Sequence, residues 1–302
     1  MVNTREKWAV SLEIAQKLIA EQFPQLSNLT VEKIGVGYDN MVYKVGEQYV
    51  FRFPRRDSAI QPQRMEGKIL NRLAPLLPIA IPKPVLYGVE STRYPVPFLG
   101  YTYIQGAFPK QLSDERRGCS YHILASFIRK LHSFSVEEAL QASVPYNRRN
   151  HSDMMERKKF LIEALSKVAA YIKEEDFKKI AAYVHAVEVL PIPLKETLVH
   201  SDLHFMNLLV DYNGIVTGIL DWSDLDIGHP AADLEVAYSF LPASFRDAFF
   251  QAYGPVDEET KYLARFLAVY KMMLLLTEAV EQSDNEEIKN EICLSLLRAI
   301  SD

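Results

Sequence analysis

The stretch from His200 to Trp222 constrains this 302-residue chain more than any other. It reads Val199-His200-Ser201-Asp202-Leu203-His204-Phe205-Met206-Asn207-Leu208-Leu209-Val210, then a short polar run, then Ile219-Leu220-Asp221-Trp222. The two flanking runs, Leu208 to Val210 and Ile215 to Leu220, are apolar, and Asp211-Tyr212-Asn213-Gly214 lies between them. Asn-Gly between two such runs is the strongest short hairpin signal, because both residues tolerate positive φ. With Asn213-Gly214 as the two-residue turn, Tyr212 pairs with Ile215, Asn207 stands opposite Leu220, and Asp221 follows. Two oxygen donors distant in sequence then meet at the open end of one hairpin. Mg2+ favours such a place: one or two protein oxygens, completed by phosphate and water. Asp202 lies five positions before Asn207, within reach of an attacking hydroxyl. A carboxylate that orients a hydroxyl, followed by two oxygen ligands for magnesium, is what kinase-type phosphoryl transfer requires. Turn preference alone accounts for Asp211 and Asn213, but poorly for the ordered set His200, Asp202, Asn207 and Asp221. His200 reads as a structural hydrogen-bonding residue, and His204 as either a surface or a substrate-facing one.

Length favours two lobes over one domain. The apolar content of 48% and charged content of 24% suit a protein with a sizeable core. The net charge of −5 and the lack of a large basic run argue against nucleic acid as a partner. A mild acidic excess is compatible with a cationic small-molecule substrate. Cys119 and Cys293 have no metal-ligand spacing and fit a reducing compartment. The N-terminal segment carries Arg5, Glu6, Lys7, Glu13, Lys17 and Glu21, which is no secretory signal. Phe266 to Val280, the most apolar later stretch, is broken by Lys271 and Glu278 and is too short to span a bilayer. The expectation is a soluble, cytoplasmic protein with no membrane partner.

Trp8, Leu12, Ala15, Leu18 and Ile19 recur at helical spacing, so the chain opens with an amphipathic helix ending near Pro24. Strands are expected over Leu29–Ile34, Met41–Val45 and Gln48–Phe53, with the turn Gly35-Val36-Gly37-Tyr38-Asp39-Asn40 between the first two. A glycine-bearing turn of this kind is able to cover phosphates with backbone N–H groups. No GxxxxGK[ST] loop occurs, which argues against a P-loop enzyme. A helix over Pro62–Leu73 carries Glu66, and strands follow at Pro84–Val89 and Phe98–Ile104. After Gly106 the pattern turns helical: Ser120–Leu131, Met154–Ile172, Glu175–Val187, Ala231–Phe240, Phe245–Tyr253, Glu258–Glu281 and Glu286–Ile300. The plan is α+β and bilobal: a small antiparallel-sheet N-lobe over residues 1–104 that binds nucleotide, and a larger helical C-lobe over 105–302 with the catalytic loop and substrate site.

Arg52 lies on the third strand, where a kinase-type site keeps a cation for the nucleotide phosphates, and Glu66 is the acid that would hold it. Arg55 and Arg56 read equally as phosphate ligands or as a solvated strand end. Asp233, twelve residues after Asp221, reads as a brace for the catalytic loop or as a simple helix cap. Asp224 and Asp226 read as loop carboxylates, one of them able to face a cationic substrate group. His132 closes an apolar helix and reads as a satisfied core histidine.

These residues resemble the aminoglycoside phosphotransferase superfamily, which shares the protein-kinase-like plan. His200-x-Asp202-Leu203-His204-x-x-Asn207 is similar to that family's HGDLxxxN, with Ser201 in place of the usual Gly, and Ile219-Leu220-Asp221-Trp222 is similar to its metal-binding segment. Pro230-Ala231-Ala232-Asp233-Leu234 and Phe51-Arg52-Phe53-Pro54-Arg55-Arg56 extend the likeness over most of the chain. The resemblance implies that Asp202 orients and deprotonates an acceptor hydroxyl and that Asn207 and Asp221 hold Mg2+. Arg52 stands where many members carry Lys. Arg-x-Pro-Arg-Arg and Asp-Trp-Ser look most like macrolide 2′-phosphotransferases. Gly100-Tyr101-Thr102-Tyr103-Ile104-Gln105-Gly106 resembles the hinge of aminoglycoside 2″-phosphotransferases, where a base bonds backbone near Thr102, Tyr103 and Ile104 beyond a gatekeeper at Tyr101. A bulky gatekeeper favours GTP over ATP as donor.

The resemblance therefore implies transfer of a nucleotide γ-phosphate to a hydroxyl of a cationic small molecule. An antibiotic amino-sugar is expected, macrolide before aminoglycoside. A kinase of a small metabolite (choline-, homoserine- or sugar-like) is the alternative within the enzyme class. A nucleotide-binding regulator without turnover is the alternative outside it, and intact Asp202, Asn207 and Asp221 argue against it.

Overall fold

The computed structural model describes residues 7–282 and 285–301. The chain divides into two compact units. One runs up to Gln105 and also takes in Ile219–Asp224; the other comprises Gly106–Gly218 and the chain from Leu225 onward. The expected second lobe thus lends the Asp221 segment to the first unit.

The first unit opens with α1 (Leu12–Gln22), whose N-terminus is capped by the Ser11 hydroxyl accepting the Ile14 N–H. Strands β1 (Val31–Val36), β2 (Asn40–Val45) and β3 (Tyr49–Pro54) follow, then helix α2 (Ile60–Leu73) and strands β4 (Pro84–Gly88) and β5 (Phe98–Thr102). They form one antiparallel sheet in the order β1-β2-β3-β5-β4. Side chains alternate across β3. Phe51 and Phe53 point into an aromatic core with Tyr43, Tyr94 and Phe98, against which Ala15, Leu18 and Ile19 of α1 pack. The Phe53 and Phe98 rings stack with centroids 4.5 Å apart. Arg52, between the two phenylalanines, emerges on the opposite face, where it meets Glu66 of α2. The expected elements of this lobe are all present, the strands and α2 with ends displaced by one or two residues; Trp8, read as part of the first helix, lies four residues before it.

The second unit begins at Gly106, whose φ of 155° suits glycine and where a Cβ would lie 2.9 Å from the Leu209 Cβ. Its elements are α3 (Asp114–Gly118), α4 (Tyr121–His132), α5 (Val136–Gln141), α6 (Met154–Val168), α7 (Glu174–Ala186), β6 (Thr197–Val199), β7 (Leu208–Val210), β8 (Val216–Ile219), β9 (Asp226–Gly228), α8 (Ala231–Leu234), α9 (Val236–Ser239), α10 (Arg246–Tyr253), α11 (Glu258–Gln282) and α12 (Glu286–Ile300). Leu124, Ala125, Phe127, Ile128 and Leu131 give α4 a fully buried face at helical spacing. Burial of each large side chain there stabilises the fold by roughly 1.5–3 kcal/mol. The long α11 packs on α6, α8, α9 and α12. The helix expected over Ala231–Phe240 is two short helices joined at Glu235, and the short antiparallel pair β6-β9 has no periodic signal long enough to read from sequence.

The hairpin differs from expectation. Asp211, not Tyr212, pairs with Ile215: the Asp211 amide donates to the Ile215 carbonyl at 3.0 Å, and the Gly214 amide to the Asp211 carbonyl at 3.0 Å. The Asp211 Oδ1 also accepts the amides of Asn213 and Ile215, each at 2.9 Å. Of the Asn-Gly pair only Gly214 has positive φ, 86°. The loop is therefore three residues long, a turn closed by a left-handed glycine, and the pairing that set Asn207 opposite Leu220 is displaced by one residue. The carboxylate of Asp211, which organises two loop amides, decides between the two turn types.

Candidate active site

In the first unit, Arg52 Nη1 lies 3.0 Å from each Glu66 oxygen, and its Nη2 lies 3.3 Å from Asp221 Oδ1. Glu66 is 1% exposed and also accepts the Tyr101 hydroxyl at 2.6 Å. Burial opposes the charge on Arg52, but the Glu66 carboxylate, Tyr101 and Asp221 outweigh it and raise the guanidinium above its ordinary value. Arg52 therefore stays charged, with one nitrogen shared with a half-exposed carboxylate. Asp221 has φ 57°, and its Oδ1 also accepts the Ser223 hydroxyl at 2.8 Å. Trp222 is buried and donates to the Ile219 carbonyl at 3.0 Å, which anchors this segment.

Arg55 and Arg56, undecided from sequence, brace the glycine-bearing turn. Arg55 Nη1 donates to the Gly37 carbonyl at 2.8 Å, and the Arg56 guanidinium lies 4.0 Å above the Tyr38 ring. In the hinge segment the Thr102 amide is taken by the Lys83 carbonyl and the Tyr103 amide by the Gln48 carbonyl. Among the described residues no backbone carbonyl takes the Ile104 amide.

In the second unit, the segment between β6 and β7 carries the motif His200 to Asn207. Asn207 Nδ2 donates to the Asp202 carbonyl at 2.8 Å and to Asp202 Oδ2 at 2.9 Å. That leaves the Asn207 side-chain oxygen as a hard donor for a cation. His204, 4% exposed, stands with Nε2 3.3 Å from Asp202 Oδ2, so it is a buried partner of the carboxylate rather than a surface residue. The other oxygen, Oδ1, is met by Lys271 Nζ of α11 at 2.5 Å. Burial pushes the Asp202 carboxyl up, but the charges of His204 and Lys271 and their hydrogen bonds hold it well below the usual carboxylate range. Asp202 is thus ionised, oriented on one oxygen by Asn207, and covered on the other by an ammonium.

Asp233 braces this loop. Its Oδ2 accepts the His200 amide and its Oδ1 the Ser201 amide, each at 2.9 Å. His132 closes α4 with both ring nitrogens engaged, one 3.1 Å from Asp233 Oδ2 and the other 2.9 Å from the Tyr253 hydroxyl. Asp226, which sequence allowed to face a substrate, is instead fully buried and accepts the amides of Arg148 and Arg149. It sits on β9 opposite Val199, so its oxygens are spent on a neighbouring loop.

Sequence reasoning missed the part of Lys271 in the site. Its signal was present: one cation interrupting an apolar helical stretch. Glu235 was missed too. It is 1% exposed, both carboxylate oxygens lack a hydrogen bond, and burial drives its carboxyl well above its ordinary value, against the attraction of Lys271.

A five-stranded antiparallel sheet with one inserted helix, together with a helical unit that carries an oriented aspartate, defines a phosphotransferase with a kinase-like fold. Residues 30–264 match the family described as "Phosphotransferase enzyme family", and the chain belongs to it. Among solved structures it is similar to the GDP complex of aminoglycoside 2′-phosphotransferase-IIIa, with TM-score 0.69 and 24% identity over 95% of this chain and 97% of that one. It is also similar to the macrolide 2′-phosphotransferase MphH from Brachybacterium faecium, with TM-score 0.59 and 21% identity over 94% of this chain and 98% of that one. The uncharacterized protein YcbJ of Bacillus subtilis (strain 168) is 24% identical over 240 residues, which cover 77% of each chain. Among the described residues no helix is long and apolar enough to cross a membrane.

Proposed function

We propose that the protein transfers the γ-phosphate of GTP or ATP, with Mg2+, to a hydroxyl of an antibiotic amino-sugar, a macrolide 2′-hydroxyl ahead of an aminoglycoside. The observation that carries the reading is the Asp202 carboxylate, kept ionised and aimed by Asn207. Asp202 orients the acceptor hydroxyl and takes its proton. Asn207, through its side-chain oxygen, and Asp221 are the residues that would hold Mg2+, whose charge would offset that of the phosphates. Arg52, held by Glu66 and Tyr101, supplies a cation for the nucleotide phosphates. The base bonds backbone in the segment Thr102, Tyr103 and Ile104, with the Ile104 amide as its donor because the other two amides are taken, past the buried ring of Tyr101. That bulk, and the GDP bound to the similar aminoglycoside 2′-phosphotransferase-IIIa, favour GTP.

Lys271 and His204 beside Asp202 favour an acceptor with few amines. A single amine on an apolar body turns away from Lys271; the several amines of an aminoglycoside cannot all do so, and like charges at close range repel. The same ammonium supports a second reading, an acceptor that carries a carboxylate, such as a homoserine-like hydroxyl.

The test is to incubate the protein with Mg2+ and GTP or ATP, adding erythromycin, kanamycin or homoserine, and to follow the mass of each acceptor beside an Asp202→Asn control. A gain of one phosphoryl group that vanishes in the control supports the reading and names the acceptor. Modification of homoserine alone moves the assignment to the metabolic alternative. No gain with any acceptor removes the antibiotic reading.

A further inference from the structure

Asp202 has both carboxylate oxygens engaged. Oδ2 is tied to Asn207 at 2.9 Å, and through that residue to the proposed metal position, so Oδ1 is the oxygen that an acceptor hydroxyl would meet. Lys271 Nζ sits on it at 2.5 Å. Lys271 is not a surface cation that strayed inward. Its side chain is 19% exposed, and its neighbours Met272 and Met273 on α11 are fully buried, so the helix fixes its Cα firmly. Glu235 joins α8 to α9, the two short helices against which α11 packs, and its carboxyl is sealed from water and bonded to nothing. A buried carboxyl without a partner costs stability, and one placed where α11 packs on α8 and α9 calls for a partner at some stage of the cycle.

We propose that Lys271 is a positioning residue that fixes Oδ1 of Asp202 for proton transfer and passes its ammonium to the Glu235 carboxyl when the acceptor hydroxyl takes its place. This explains two features together: why a lysine covers Asp202, and why an acid without a hydrogen bond is buried where the helix of that lysine packs on α8 and α9. Only hydrogen bonds are exchanged, so no covalent step is added to phosphoryl transfer. The inference rests on Asp202 acting as the base.

Acceptor-independent hydrolysis of GTP with Mg2+, in which water takes the place of the hydroxyl, tests it without knowledge of the acceptor. The comparison uses the wild type, Lys271→Met, Lys271→Arg, Glu235→Gln, Glu235→Leu, the double variant that combines Lys271→Met with Glu235→Leu, and Asp202→Asn. Lys271→Met is expected to lower kcat about tenfold or more with the nucleotide KM nearly unchanged, since general-base catalysis contributes about 10²–10⁴ in rate. Lys271→Arg keeps the charge and restores most of the rate. Glu235→Leu lowers kcat while Lys271 is present and has no further effect in the Lys271→Met background, whereas Glu235→Gln, which keeps an acceptor oxygen, stays near wild type. Urea unfolding of the same proteins gives a readout free of turnover: the shift in midpoint caused by Glu235→Leu differs between the wild-type and Lys271→Met backgrounds if the two side chains act on each other.

Full hydrolysis in Asp202→Asn overturns the base assignment and this inference with it. Loss in Asp202→Asn together with wild-type kcat in Lys271→Met overturns the inference alone. Equal effects of Glu235→Leu in both backgrounds, in rate and in midpoint, overturn the part played by Glu235.

Discussion

The Oδ1 of Asp233 accepts the backbone amide of Ser201 at 2.9 Å, and Ser201 stands at φ 69°, in the left-handed region. The family pattern has Gly at this position, where a side chain is strained. The Ser201 hydroxyl gains nothing to offset that strain, because its Oγ is buried without a partner. The loop from His200 to Asn207 is therefore held in its shape by Asp233 against the preference of its own residue. Ser201→Gly is expected to stabilise the fold by about 1 kcal/mol, the size of a relieved left-handed residue less the entropy of the added glycine. Urea unfolding measures it, and a loss of stability in the glycine variant would count against strain at this residue.

Asp233 itself carries a pH dependence. Its burial raises the carboxyl, but the His132 hydrogen bond and charge, with His200, lower it below the ordinary 3.8. The folded value lies below the unfolded one, so the unfolded chain binds the proton more readily. The stabilisation is fully present above the ordinary carboxylate value and is lost as pH falls from there through the folded value. Asp233→Asn keeps only one acceptor oxygen for two amides and is expected to cost about 3 kcal/mol, as for a broken buried charged pair. Urea midpoints taken from pH 7 down to the acid limit should show the variant with a flatter loss than the wild type. Parallel curves would dissociate Asp233 from the acid instability.

Arg52 supports Glu66 whether or not it also meets phosphate, and the two roles separate in experiment. Arg52→Met leaves the Glu66 carboxyl buried with only the Tyr101 hydroxyl, and a loss of about 3 kcal/mol is expected from the broken pair. If Arg52 also holds the nucleotide, the same change raises nucleotide KM about tenfold or more. Arg52→Lys keeps one charge and loses the fork, so its KM should fall between the two. Nucleotide titration by calorimetry decides: an unchanged affinity in Arg52→Met would confine the residue to a structural part.

Much of the fold was legible because its signals are local. The strand expected over Gln48–Phe53 and the helix expected over Ser120–Leu131, which His132 closes, are both present with ends within one residue. Partners were legible only where a known constellation supplied them, as for Arg52 with Glu66. The hairpin turn was misread because Asn-Gly predicts a two-residue turn, while the Asp211 side chain, by accepting two loop amides, made the longer one more stable. Asp226 was misread because its sequence neighbours are loop-like, and only the pairing of β6 with β9 reveals that it is buried.

The sequence by itself determined the longer elements, their order and the place of Arg52 on β3, since periodicity and motif spacing are properties of neighbours along the chain. Only the tertiary structure decided that Lys271, 69 residues after Asp202, covers its carboxylate, that Asp233 holds the loop it follows, and that Glu235 is buried without a bond. They depend on which groups from distant parts of the chain packing brings together out of water, where some find partners and Glu235 does not.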